Sequence, residues 1–125
     1  MPNLVKLKTV HSDSGSLSVF EKLMPGTIKR VYYIYGTHHI PRGGHRHHST
    51  WNALICLRGQ CRIYVHNGVS ESLFVLNQPN ECLILEPKDW YKMEDFSDDA
   101  ILLILSNQYY SVKDYIDDPY QMTDK

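Results

Sequence analysis

The chain is 125 residues long, 42% hydrophobic and 22% charged, with a formal net charge of −1. That length supports one domain, residues 1–125, with a real core, and the charge balance leaves no basic field to hold nucleic acid. The longest apolar runs, "ALICL" (53–57) and "AILLIL" (100–105), are too short to span a bilayer. The N-terminus "MPNLVKLKTV" lacks an apolar signal-peptide core, so the expectation is a cytoplasmic protein with no membrane contact.

Short β-rich segments recur between turn signals, and no long amphipathic helix interrupts them, which predicts an all-β sandwich or barrel. The first predicted strand, Leu17–Glu21, follows Gly15. The second, Val31–Tyr35, lies in "RVYYIY", where one face carries Arg30, Tyr32 and Ile34 and the other Val31, Tyr33 and Tyr35. Both faces mix apolar bodies with polar tips, which suits a strand lining a wet cavity. Gly43-Gly44 predicts a turn ahead of His45. Strands Ala53–Leu57 and Cys61–Val65 flank Gly59. Asn67-Gly68 then predicts a tight hairpin into Leu73–Leu76, because both residues tolerate positive φ. Pro79 and Pro87 bracket Cys82–Glu86, and Ala100–Leu105 is the last predicted strand. The tail "SVKDYIDDPY" reads as a short helix ended near Pro119. Cys56, Cys61 and Cys82 are odd in number, show no CxxC spacing and border apolar segments, so they are read as buried reduced thiols. His11 and His66 fall in expected surface turns.

The chemistry concentrates in "PRGGHRHHSTWNALICLRG" (41–59). In an extended segment His45 and His47 point to the same face. The spacing His45-x-His47, then Asn52, then Gly59, resembles the first motif of the cupin family, and "LEPKDWYKM" resembles the second. A metal cupin holds its ion with three histidines and a carboxylate. Here Asn52 stands at the carboxylate position and Tyr91 at the third-histidine position, and two imidazoles alone make a weak site. His38, His39 and His48 are the remaining candidates to complete one. The reading is a cupin that keeps the histidine pair and has no metal; the chain also lacks any GxGxxG or P-loop pattern.

Over most of its length the sequence resembles a narrower group, the nucleotide-sugar 3,4-ketoisomerases (WxcM-like, or FdtA/QdtA-like, cupins). The carriers are "GSLSVFE" (15–21), "IKRVYYIYG" (28–36), "RGGHRHH" (42–48), "LICLRG" (54–59), "EPKDWYKMEDFS" (86–97) and "YYSVKDYI" (109–116). Arg42, Gly43, His45, His47, Pro87, Trp90, Met93, Tyr110, Asp114, Tyr115 and Ile116 match the group's pattern. The departures are Arg46 for a small residue, His48 for lysine, Asn52 for glutamine, Tyr91 for histidine and Ser111 for aspartate.

The resemblance implies a cupin-type jelly roll (a double-stranded β-helix) forming a homodimer, often with strand exchange. It implies action without a cofactor on a dTDP-linked 4-keto-6-deoxy sugar, moving the ketone from C4 to C3. The 3-keto product would supply deoxyamino-sugar synthesis for a surface polysaccharide such as lipopolysaccharide. Such a tautomerisation needs an acid–base group titrating near neutrality, which histidine provides. The expectation is that His47 shuttles the proton and His45 polarises a sugar oxygen or relays a hydroxyl proton, with the two roles exchangeable. Arg42 and Arg30 suit the pyrophosphate, since guanidinium matches phosphate oxygens bidentately. Tyr33, Tyr35, Asn52, Tyr91 and Trp90 are the expected sugar or base contacts. Three rivals stand beside this reading: an epimerase on the same fold, a non-catalytic sugar-binding cupin and a metal-dependent cupin.

Overall fold

The computed structural model describes residues 2–37 and 40–120. Twelve strands lie within them: β1 (Asn3–Lys6), β2 (Lys8–Ser12), β3 (Gly15–Val19), β4 (Arg30–Ile34), β5 (Arg42–His47), β6 (Asn52–Arg58), β7 (Cys61–His66), β8 (Glu71–Leu76), β9 (Glu81–Leu85), β10 (Trp90–Glu94), β11 (Ile101–Ser106) and β12 (Tyr115–Ile116). One sheet has the order β1-β9-β6-β11-β4, the other β12-β5-β10-β7-β8, and β2 and β3 form a separate hairpin. Every pairing is antiparallel. Neighbours in the sheets are mostly distant in sequence, so the chain passes back and forth between two facing layers, the jelly-roll arrangement expected.

Alternation along the strands decides what each layer buries. The inner faces contribute Ile34, Leu54, Cys56, Ile63, Val65, Leu83, Leu85, Tyr91, Leu102 and Ile104 to one core between the sheets. A second cluster, with Ala53, Ile55, Cys82, Ile84 and Leu105, covers the outer face of the first sheet beneath Phe20, Leu23 and Met24. β6 is therefore buried on both faces over Asn52–Cys56, which accounts for a continuous apolar run where a one-sided strand would alternate. The three cysteines are free and buried, as expected.

Several local expectations change. Gly43 and Gly44 make no turn; they lie inside β5 with φ of 89° and 80°. There the pairing of β10 with β5 shifts register between Tyr91 and Lys92, a bulge that re-aims the strand. A Cβ on Gly43 would sit 3.1 Å from the Tyr91 carbonyl oxygen and 3.3 Å from Lys92 Cα, so any other residue there is both strained and crowded. The hairpin at Asn67-Gly68 forms, but Asn67 keeps a negative φ. Its side-chain oxygen instead accepts the N–H groups of Val69 and Ser70 at 2.9 Å, the side-chain turn that asparagine favours. His66 ends β7 and is buried; it is no surface turn residue, and its Nδ1 accepts the Gly68 N–H at 3.0 Å. His11 is exposed, in strand β2. The expected C-terminal helix shrinks to one 3-10 turn, Val112–Asp114, after which Tyr115 and Ile116 pair with β5.

Candidate active site

β5 and β10 carry the histidine site because both present alternate residues to the interior. Tyr91 is paired with His45, and His47 N–H donates to the Pro87 carbonyl at 2.8 Å, tying the end of β5 to the turn before β10. That turn is closed by the fully buried Asp89, whose Oδ2 accepts the Glu86 N–H at 2.8 Å. The result is the same-face pair the HxH spacing predicts. The His45 and His47 rings lie 5.1 Å apart, centroid to centroid, with their planes at 88°.

Tyrosines wall the pair. The Tyr91 ring is 5.4 Å from His45 and 6.3 Å from His47, and the Tyr115 ring 4.5 Å and 4.7 Å. Opposite them, the first sheet supplies Arg30 and Tyr32 from β4, Asn52 from β6 and Ser106 from β11, a row set by the pairings Arg30–Ser106 and Asn52–Ser106. Arg30, Tyr32, His47, Asn52, Ser106 and Tyr115 are among the residues lining one narrow cleft. The Arg30 guanidinium lies over the Tyr32 ring at 4.0 Å and faces Tyr110 at 5.1 Å. Ser106 Oγ donates to Asn52 Oδ1.

This environment sets the protonation states. Burial, reinforced by the neighbouring His45 and Arg30, drives the His47 pKa down to about 4, against the opposing pull of Asp114. Burial also lowers that of His45, opposed by Asp117 and the Gly43 backbone. Both imidazoles are thus neutral near pH 7 and have a free ring nitrogen to accept a proton. Burial raises Tyr91 well above the usual phenol range, helped by Tyr32 and Tyr115. Burial and Tyr115 raise Tyr32 as well. These phenols remain protonated donors.

The donor set does not match a cupin metal centre. Asn52 offers an amide oxygen already engaged by Ser106, Tyr91 is a buried neutral phenol, and no group of three His, Cys, Asp or Glu converges among the described residues. His38 and His39 lie outside those residues, and His48 is exposed.

Of the residues expected at the site, His45, His47, Arg30, Asn52 and Tyr91 come together. Tyr33 and Tyr35 do not: they stack on each other at 5.8 Å on the outward side of β4, 61% and 68% exposed. Arg42 is exposed at the far end of β5, beside Tyr35 and Ile40. Trp90 points to the outer face of the second sheet, where its Nε1 donates to the Asp117 carbonyl at 3.2 Å and its ring meets Tyr64. The sequence reading missed Tyr115, Asp114, Thr50, Ser106 and Tyr32. Tyr32 was accessible, since it shares a strand face with Arg30; Tyr115 was hidden by reading its segment as a helix.

Comparison with known proteins points the same way. The family described as "FdtA: WxcM-like, C-terminal" matches residues 2–125. A TDP-4-oxo-6-deoxy-alpha-D-glucose-3,4-oxoisomerase from Aneurinibacillus thermoaerophilus is 37% identical over 116 residues, covering 90% of this chain and 84% of that protein. Among solved structures, a variant of the 3,4-ketoisomerase QdtA from Thermoanaerobacterium thermosaccharolyticum, in complex with TDP-4-keto-6-deoxyglucose, is 36% identical. It superposes with a TM-score of 0.87 over 94% of this chain and 87% of that one. The TDP-fucose-3,4-ketoisomerase WlaRA from Campylobacter jejuni is 35% identical, with a TM-score of 0.87 over 94% and 89% of the two chains.

Proposed function

Because the chain belongs to the WxcM-like, C-terminal family, we propose that it is a sugar-nucleotide 3,4-ketoisomerase that moves the ketone of a dTDP-linked 4-keto-6-deoxyhexose from C4 to C3. The observation that carries the chemistry is the neutral imidazole pair, 5.1 Å apart and walled by tyrosines, with His47 lining the cleft. His47 removes the proton from C3 as its base, and the C4 oxygen takes up a proton to give the enediol. His47, its proton having exchanged with solvent, then delivers a proton to C4 while the C3 hydroxyl gives one up to become the new ketone. His45 relays the proton between the two oxygens. Charge that develops on them is met by protonated Tyr91 and Tyr32, preorganised beside the imidazoles.

The sugar would enter the cleft beside His47, with the nucleotide lying outside its mouth. Arg30, lining the cleft, would meet the pyrophosphate, and Asn52, whose Oδ1 accepts from Ser106, would keep its amide nitrogen for the sugar. Arg42 and Tyr35, which share an exposed cleft, are left to contacts with the nucleotide end, while Tyr33 and Trp90 lie away from the cavity on the outer faces of opposite sheets.

The same reading treats residues 1–125 as one catalytic domain, working as a homodimer in the cytoplasm. Hairpin β2–β3 pairs with no other strand among the described residues and exposes Val10 and Leu17, apolar surface that suits burial against a second copy. No helix in the described residues is long and apolar enough to cross a membrane. The product, a 3-keto sugar, suits a later transamination toward surface polysaccharide. The test is carbon NMR of purified protein with dTDP-4-keto-6-deoxyglucose. Appearance of a C3 ketone supports the reading, and a C4 ketone unchanged after long incubation rejects it.

A further inference from the structure

The tail that follows β11 makes contacts a mere surface cover would not need. Tyr115 pairs in register with His47, and Ile116 with Arg46. His48 N–H donates to the Asp114 carbonyl at 2.9 Å. The Asp114 carboxylate accepts three more bonds from the loop leaving β5: Ser49 N–H at 2.9 Å and Ser49 Oγ at 2.8 Å on one oxygen, and Thr50 Oγ1 on the other. Burial works against its ionisation, but the Thr50 and Ser49 donors outweigh that and hold the carboxyl below its ordinary value. One charged side chain thus fastens the tail to the strand that carries both imidazoles.

What this clamp holds is the Tyr115 ring. Its centroid is 4.5 Å from His45 and 4.7 Å from His47, and the imidazoles are 5.1 Å apart, so the three rings close a triangle. Tyr110 backs Tyr115 at 5.6 Å. An imidazole on one face of a strand rotates about two side-chain bonds, and the His45 edge on the same strand leaves His47 free on its other side. The third ring closes that side.

We propose that Tyr115 is a positioning residue for proton transfer, its aromatic ring fixing the mutual angle of His45 and His47, with Asp114 as the clamp that keeps the ring in place. The inference rests on the ketoisomerase reading for its kinetic consequence, though not for its geometry. A misplacement of about 1 Å of a catalytic group costs on the order of 100-fold, so loosening the triangle should lower turnover more than binding. β12 is only two half-buried residues, so its loss should leave the rest of the fold in place.

The experiment compares Tyr115→Leu, Tyr115→Phe and Asp114→Asn with wild type. It measures kcat, KM and thermal midpoint, and the titration and tautomer of both imidazoles by nitrogen NMR without substrate. The groups facing His47 are His45 from β5, Tyr91 from β10, Arg30 and Tyr32 from β4, and Asp114 and Tyr115 from the tail; only Tyr115 and Asp114 change. Tyr115→Leu should lower kcat by roughly 10–100-fold with KM within about threefold, bring the His47 titration up toward the ordinary histidine range, and barely move the midpoint. Asp114→Asn should fall in the same direction, less far. Tyr115→Phe, which keeps the ring, should keep kcat within about threefold. The proposal is overturned by unchanged kcat in Tyr115→Leu, or by Tyr115→Phe losing as much as Tyr115→Leu, since the hydroxyl would then be what matters. If wild type shows no turnover, the functional reading fails; the NMR titrations still decide whether the ring packs the imidazoles.

Discussion

The imidazoles of His45 and His47 stand edge to face, 5.1 Å apart at 88°, so the nitrogen atoms of one ring cannot be exchanged for those of the other by a simple slide. On the proposed mechanism, two differently oriented nitrogens would serve two different atoms of one substrate, a carbon and an oxygen. Replacing His47 by Asn keeps hydrogen-bonding capacity and removes the titrating group. His47→Asn should therefore lower kcat by roughly 10²–10⁴-fold with little change in nucleotide-sugar affinity. His45→Asn should cost less, because a relayed hydroxyl proton has other routes. His11→Asn, on the exposed β2 hairpin, is the control and should leave the rate as it was. Steady-state kinetics and calorimetric binding check all three.

The acid side of the pH profile should lie unusually low. A general base must be proton-free, and burial sets the His47 pKa near 4, not at the ordinary 6.5. kcat/KM should stay level from neutral pH down to about pH 5 and fall as pH drops through about 4. The linked effect on stability has a definite sign. Between pH 6.5 and 4 the unfolded chain binds the proton that folded His47 refuses, so this contribution is complete above 6.5 and is lost as pH falls toward 4. An acid limb at 6.5 would mean that His47 is solvated in the working enzyme.

Gly43→Ala should damage both stability and turnover. Its φ of 89° is strained for a residue with a Cβ, and that atom would press on the Tyr91 carbonyl at 3.1 Å. The expected loss is about 1–3 kcal/mol by urea unfolding. Because the bulge aims His45, turnover under fully folded conditions should also drop.

Thiol reagents should leave the native protein almost untouched. Cys82 is buried and its thiol pushed up to about 12, the hydrogen bond with Cys56 and then burial raise Cys61, and Cys56, lowered by the same bond, is only 1% exposed. Labelling should require unfolding, and mass spectrometry of native and urea-treated samples reads it directly.

Much of this was legible beforehand where side-chain pattern and backbone preference agree. All seven expected strands form, each within a few residues of its expected ends, because β-branched and aromatic runs between turn residues have few other ways to be buried. Five strands went unpredicted, β1, β2, β5, β10 and β12; of these β5 is "RGGHRH", made strand by its neighbours and its glycine bulge, and β12 is two residues held by the Asp114 clamp. Same-face placement of His45 and His47 followed from a two-residue period. Which face of β4 turned inward did not, since tyrosines occupy both; only Arg30 and Ile34 flanking Tyr32, packed against β11, decide it. Tyr115 reaches the site across 68 residues of sequence from His47, beyond the reach of any local pattern.

Solvent deuterium labelling tests the central claim most directly. Wild-type protein in heavy water with dTDP-4-keto-6-deoxyglucose should give a 3-keto product with deuterium at C4, seen by proton and carbon NMR, and His47→Asn should nearly abolish that exchange. Normal exchange and normal turnover in His47→Asn would contradict the account and leave both imidazoles as structural parts of the cavity wall.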